Sequence, residues 1–142
     1  MTVISYPRLS EIDRAECVRV LGACSLGRLA FVTADGPRIL PVNYALDRDD
    51  VVFRTDGDTT LYSAVGSRVA FEIDAFDPAY HEGWSVVVVG TLQEEHDPYG
   101  VRELDRLPLR PWAPGDKARW LRLVPDEITG RRITHDIAGG AP

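Results

Sequence analysis

Apolar and polar positions alternate through much of this chain with the period of two that puts successive side chains on opposite faces of a strand. In residues 26–33 (LGRLAFVT), Leu29 and Phe31 fall on one face and Arg28, Ala30 and Val32 on the other. A turn signal, Ala34-Asp35-Gly36-Pro37, leads into a returning strand over residues 38–46 (RILPVNYAL), where Pro41 implies a local break or an unpaired edge. Asp47-Arg48-Asp49-Asp50 is a second tight turn, into a strand over residues 51–55. Residues 68–75 (RVAFEIDA) alternate again, with Val69, Phe71 and Ile73 on one face. Residues 84–95 (WSVVVVGTLQEE) form the longest strand, and its Val86–Val89 run is apolar on both faces, so both sides need a cover. One face would fill a barrel interior and the other is most simply covered by a second subunit. A sixth strand spans residues 119–124, with Trp120, Arg122 and Val124 opposite Arg119, Leu121 and Leu123.

Helical spacing is confined to short stretches. Ile12, Ala15, Val18 and Leu21 predict a helix over residues 11–21, ended by Gly22 and preceded by a loose arm over residues 1–9. A second helix is predicted over residues 59–66 (TTLYSAVG), ended by Gly66, and a polar third over 97–107, with Asp97 as cap and Pro98 in the first position. Residues 108–114, with Pro111-Trp112, read as a rigid loop, and the terminal AGGAP as a frayed end. The fold class is mainly β with a few short helices. Six antiparallel strands joined by short turns make a small closed or half-closed barrel the economical architecture.

The stretch DVVFRTDGDTTLY, residues 50–62, carries the candidate chemistry. A helix starting at Asp58 or Thr59 leaves its first backbone N–H groups unpaired and can hold an anion there. Arg54 at the end of the incoming strand could offer a planar fork to the same anion, and the threonine hydroxyls are further short donors. The same residues also read as a capped helix after a hairpin, with Arg54 on a solvated face.

Composition narrows the function classes. A formal net charge of −6 argues against nucleic acid or an anionic membrane as the main partner. Lys117 is the only lysine among 16 basic residues, so any phosphate contact must use arginine, hydroxyls or backbone. No apolar run approaches the ~20 residues that cross a bilayer, and the N-terminus lacks the pattern of a signal peptide, which makes a cytoplasmic location the default expectation. Cys17 and Cys24 read as small buried residues, and with His81, His96 and His135 they show no metal-ligand spacing.

In seven stretches taken in order, the chain resembles the pyridoxamine 5′-phosphate oxidase-like family of flavin-binding split β-barrels. They are Gly27-Arg28-Leu29-Ala30, Ile39-Leu40-Pro41-Val42-Asn43-Tyr44, Phe53-Arg54-Thr55, Val69-Ala70-Phe71-Glu72-Ile73-Asp74, Gly83-Trp84-Ser85-Val86, Pro111-Trp112-Ala113 and Thr129-Gly130-Arg131-Arg132. They lie within residues 20–133 of one 142-residue domain.

The resemblance implies a six-stranded antiparallel split β-barrel and a homodimer with two FMN sites at its interface. Leu40, Pro41, Val42 and Asn43 would lie along the isoalloxazine ring, while Arg54, Thr55, Thr59, Thr60 and Leu61 would hold the ribityl phosphate. Trp84 and Ser85 would approach from the start of the long strand, of the same or of the partner subunit. The activity implied is a flavin-dependent oxidoreductase of unknown small-molecule substrate, with no residue here resembling a dedicated nucleophile or general base. One position departs: many relatives have a lysine in a Gly-Thr-Lys-Leu pattern where this chain has Asp58-Thr59-Thr60-Leu61. The departure keeps open the deazaflavin F420, which similar barrels bind, as well as a flavin carrier or sensor and a cofactor-free dimeric barrel.

Overall fold

A computed structural model describes residues 4–57, 59–109, 112 and 118–138. Asp58, Pro111, Ala113, Pro114, Lys117 and most of the terminal AGGAP lie outside the described residues. The elements run β1 (Ile4–Ile12), α1 (Arg14–Ala23), β2 (Leu26–Thr33), β3 (Gly36–Asn43), β4 (Ala45–Asp47), β5 (Asp50–Thr55), a 3₁₀ turn (Leu61–Ala64), β6 (Arg68–Asp77), β7 (Glu82–Glu94), α2 (Pro98–Asp105) and β8 (Arg119–Ala138). The strands are paired antiparallel in the order β3-β2-β6-β7-β8-β5-β4, with β1 added to β8. Because β3 and β4 are consecutive in the chain, this order leaves and returns to the same stretch, and the sheet curls into the split, half-closed barrel.

Eight strands replace the six expected, for local reasons. The N-terminal arm is a strand, since all nine residues of β1 pair with the far half of β8. The first helix therefore starts at Arg14 instead of residue 11, capped by Asp13, whose carboxylate accepts from the Glu16 N–H at 2.8 Å. It runs through Gly22 and stops at Cys24. The predicted strand 38–46 divides at Tyr44, where its first half stays on β2 and its second crosses to β5. The predicted strand 119–124 continues through Pro125 to Ala138, because the register shift between Val89 and Gly90 of β7 leaves Asp126 of β8 as the extra, bulged residue. Gly90 is required at that shift: a Cβ there would stand 1.9 Å from the Val124 carbonyl oxygen.

The helix expected over 59–66 shrinks to a single 3₁₀ turn. Its backbone bonds close at i→i−3, Tyr62 N–H to Thr59 O at 3.1 Å and Ser63 N–H to Thr60 O at 3.2 Å, and Ser63 Oγ shares the Thr60 carbonyl at 2.5 Å; at the flanks Thr59 Oγ1 donates to Asp56 O at 2.9 Å and Ser67 Oγ to Ala64 O at 2.6 Å. Gly66 N–H then bonds to Leu92 O at 2.7 Å and ties the segment to β7.

The barrel interior is filled by the alternating residues of the strands, among them Leu29, Phe31, Phe71, Ile73, Val86, Val88, Phe53 and Leu121. Cys17 and Leu21 of α1 close one end, and Tyr44 joins them by donating to Leu21 O at 2.6 Å and packing edge-on to Phe71 at 4.8 Å. Burial pushes the Tyr44 phenol well above its ordinary range. A smaller core of Val52, Leu104 and Trp120 lies on the opposite face of β5 and β8, under α2. Val87 and Val89, on the outer face of β7, are half-buried while their inward neighbours are fully buried. Among the described residues no helix is long and apolar enough to cross a membrane.

Candidate functional site

The split between β3 and β5 is where sheet pairing stops. The β4–β5 ladder ends at Ala45↔Val52. Continued by the same register, it would set Asn43 against Arg54 and Val42 against Thr55, but those residues pair elsewhere. Leu40, Pro41, Val42 and Asn43 pair only with β2, so one edge of this segment has no strand partner among the described residues. Pro41 contributes no N–H, in keeping with such an edge. An unpaired edge is a row of backbone donors and acceptors in need of partners, and a planar ring with a polar rim can supply them. Leu40 and Pro41 are exposed, while Val42 and Asn43 are half-buried. The Asn43 amide is already engaged: Oδ1 accepts from the Trp112 N–H at 2.8 Å, and Nδ2 reaches Ser25 O at 3.5 Å. Asn43 thus anchors the loop that brings Trp112 to a small cavity of about 180 Å³ lined by Ser25, Tyr44, Pro108 and Leu109.

Arg54 is the last half-buried residue of β5 before the turn. Its guanidinium carbon lies 5.4 Å from the centroid of the Trp120 ring, and its buried Nε has no hydrogen-bond partner among the described residues. Only one other described side-chain nitrogen shares that condition, His135 Nδ1. A buried donor without an acceptor is costly, and an anion at this point would relieve the cost. Thr55 is buried, and its hydroxyl lies 2.9 Å from that of Thr59. Thr59 Oγ1 also accepts from the Tyr62 N–H at 3.3 Å. These hydroxyls hold the turn in shape. Thr60 presents an exposed side chain and Leu61 is buried as the turn's anchor. With one 3₁₀ turn in place of a helix, the candidate anion site is a turn preceded by an arginine.

A second group borders the same turn that the sequence does not reveal. Arg119 opens β8 opposite Thr55. Its Nη1 donates to Glu94 Oε2 at 3.1 Å, and its guanidinium carbon lies 5.1 Å from the centroid of the Tyr62 ring. The Tyr62 hydroxyl donates a short hydrogen bond to Glu94 Oε1. Burial pushes the Glu94 carboxyl up, but the bonds from Tyr62 and Arg119 and the nearby His96 and Arg119 charges outweigh it and hold it below the ordinary range. The hydrogen bond to Glu94, with burial, raises the Tyr62 phenol. Alternation along residues 119–124 put Arg119 on a face, but only the β5–β8 pairing sets it beside Thr55.

Trp84 and Ser85 lie elsewhere. Trp84 pairs with Ala75 and Arg132, and Ser85 with Asp74 and Arg131, at the first end of β7. They line a cleft of about 510 Å³ with Phe76, His81, Arg131 and Ile133. Ten residues of β7 separate Trp84 from Glu94, which is roughly 33 Å of strand. Leu40–Asn43 lie on the open edge of β3, Arg54 and Thr55 at the end of β5, and Thr59, Thr60 and Leu61 in the segment that follows it, while Trp84 and Ser85 lie at the first end of β7. Asp74 sits on the outer sheet face in an ion pair with Arg28 at 3.3 Å, beside Glu72, whose carboxyl pairs with Arg28 at 3.1 Å. Burial and a hydrogen bond shared with Asp74 push Glu72 up to about 7 despite Arg28.

A curled antiparallel split barrel with an open strand edge beside an arginine-flanked turn defines the class of protein. The family model described as pyridoxamine 5′-phosphate oxidase matches residues 13–132, and the chain belongs to that family. It is 37% identical over 132 residues to an uncharacterised protein of Mycobacterium tuberculosis, Rv0080, covering 89% of this chain and 86% of that one. Among solved structures it is similar to the FAD binding protein from Mycobacterium smegmatis, with 33% identity, a TM-score of 0.76, and coverage of 87% of this chain and 97% of the other. A FAD-binding protein from Mesorhizobium loti shares the fold at 22% identity and a TM-score of 0.72, covering 91% and 99% of the two chains.

Proposed function

We propose that this chain binds a flavin nucleotide, FMN, at the split between β3 and β5, and works as a homodimeric flavin-dependent oxidoreductase in the cytoplasm. The observation that carries the reading is the buried Nε of Arg54 at the end of β5, which has no hydrogen-bond partner among the described residues; the open edge of Leu40–Asn43 supports it. Arg54 would take a phosphate oxygen. The backbone of the β3 edge would meet the polar rim of the ring, with the Leu40 and Val42 side chains excluding water. The M. smegmatis relative, whose name records FAD, supports a flavin as the ligand class, since FMN and FAD share the ring, ribityl chain and first phosphate. A bound flavin supplies hydride and single-electron chemistry, and the protein supplies position and polarity. The two free thiols, Cys17 and Cys24, suit a reducing compartment.

The separation of the two groups of site residues supports a dimer. Trp84 and Ser85 can reach a ligand held by Arg54 only from a second copy. The outer face offers an apolar surface for that copy in Val32, Ile39, Val87 and Val89, the first two exposed.

The test is the absorbance spectrum of freshly purified protein, followed by titration of stripped protein with FMN, FAD, riboflavin and F420, with mass measured by ultracentrifugation. A double-banded flavin spectrum, FMN uptake and a dimer mass are expected. A single deazaflavin band with preferential F420 uptake would transfer the site to F420. A protein that takes up none of the four would be a carrierless barrel, and the reading would be lost.

A further inference from the structure

The turn after β5 lacks the lysine that the family pattern places at position 60, and the fold supplies a cation there by another route. Arg119 comes from β8, sequence-distant but paired directly opposite Thr55. A Cβ on Gly57 would stand 2.4 Å from Arg119 Nε and 3.2 Å from its Cδ and Cζ. The arginine therefore lies flat along the turn's backbone, in space that only glycine leaves. Tyr62 supports the guanidinium from below, and Glu94, with a side chain only 6% exposed, fixes one of its nitrogens. Nearly half of the Arg119 side chain, 47%, remains open to solvent. Because Thr55 and Arg54 are successive residues of a strand, Arg119 on the Thr55 side and Arg54 on the Trp120 side flank the Thr55–Thr59 turn from opposite faces.

We infer that Arg119 is the second cation of this site, held by Glu94 and Tyr62 in place of the missing lysine, and that it makes the site selective for a phosphorylated flavin over riboflavin. The inference rests on the flavin reading above. Arg119 acts through the phosphate alone, so its loss touches one part of the ligand. A purely structural role, pinning Tyr62 and Glu94, would disturb every flavin alike.

The experiment is a matched titration of FMN and riboflavin into stripped wild-type protein and the variants Arg119→Gln, Arg119→Lys and Glu94→Gln. Loss of one charge-assisted contact weakens FMN binding by about tenfold in Arg119→Gln, with riboflavin unchanged. Arg119→Lys restores most of the FMN affinity. Glu94→Gln weakens FMN by less than Arg119→Gln and leaves riboflavin unchanged, since the guanidinium loses a charged anchor and keeps its own charge. The inference is overturned if Arg119→Gln lowers both affinities equally or neither. It is also overturned if Glu94→Gln weakens FMN as much as Arg119→Gln does. Wild-type protein that binds neither flavin would sink the flavin reading itself, and this inference with it. Binding of both flavins with no preference for FMN would sink only this one.

Discussion

Replacing Arg54 by methionine separates two quantities that ordinary core damage would move together. Methionine keeps a long apolar stem over Trp120 and removes the buried Nε that lacks a partner. Relieving an unsatisfied buried donor returns about 1–3 kcal/mol. Against this stands the lost contact between guanidinium and indole, about 0.5–1 kcal/mol for a partly exposed pair. The balance is a ligand-free protein more stable by roughly 0.5–2 kcal/mol, or a rise in Tm of roughly 2–6 °C at fixed protein concentration. FMN binding should move the other way. A charge-assisted phosphate contact is worth about 1.5–3 kcal/mol, so the Kd for FMN rises about 10- to 150-fold while that for riboflavin holds. Thermal melts of stripped protein and parallel fluorescence titrations measure both. An Arg54→Met protein that melts lower than wild type and keeps its ratio of FMN to riboflavin affinity would show that Arg54 is a packing residue, and the proposed phosphate site would be wrong.

Two further outcomes follow from the sheet. Glu72 titrates at about 7 in the folded chain against an ordinary 4.5. Its folded form holds a proton the unfolded chain has released, so this residue's stabilising contribution is present below about 4.5 and is lost as pH rises through 7. Glu72→Gln should abolish that slope and raise stability at pH ~8 by about 1 kcal/mol after allowing for screening at a partly exposed site, as read from denaturant melts across pH. A variant with the wild-type slope would refute the assignment. Steric tests distinguish two glycines of the long strands. At Gly130 a Cβ would meet Cys17 Sγ at 2.6 Å, so Gly130→Ala should cost about 1–3 kcal/mol and be partly rescued by Cys17→Ala. At Gly90 the obstacle is the Val124 carbonyl at 1.9 Å, which no side-chain change removes, so Gly90→Ala should cost more than ~3 kcal/mol in any background. Equal losses at the two positions, measured by chemical denaturation, would contradict this account of the bulge.

How far the sequence could be read depended on whether the information was local. The strands over 26–33, 51–55, 68–75 and 84–95 are legible because their period-two alternation reports a one-sided burial that each strand meets on its own. β1 is not, because Ile4–Ile12 carries Pro7 and several polar residues and is held by nine pairs to a partner at the opposite end of the chain. The strand expected to end at 124 runs on because Asp126 is taken up as a bulge against β7, which alternation along residues 119–124 does not report. Residues 59–66 show helical spacing, but spacing does not report that the backbone bonds close at i→i−3 and that hydroxyls share the same carbonyls. In the candidate site, Arg54 and Leu40–Asn43 could be singled out from their own neighbourhoods. Arg119 could not, because its place beside Thr55 is a property of the β5–β8 pairing.

These departures from local rules do not fall at random over the molecule. Strand pairing is given up along one edge of Leu40–Asn43, a predicted helix is cut to one turn at Leu61–Ala64, and an arginine nitrogen is buried without an acceptor at Arg54. Each is unfavourable taken alone, and a fold selected for stability would have little reason to keep any of them. The open edge belongs to β3 and the nitrogen and the short turn to the end of β5 and the segment after it, on either side of the break at Tyr44; the other such nitrogen among the described residues, His135 Nδ1, lies on β8 opposite Pro7. One ligand with a planar polar rim and a phosphate answers all three together: the rim meets the open edge, the phosphate meets the unpaired nitrogen, and the short turn leaves room for the chain between them. The outer surface around Arg28, Glu72 and Asp74 carries a cost of its own at Glu72, but there Arg28 already pairs with both carboxylates. These local costs on either side of one break are the physical reason to look for the ligand there, and the reason holds independently of which relatives the chain resembles.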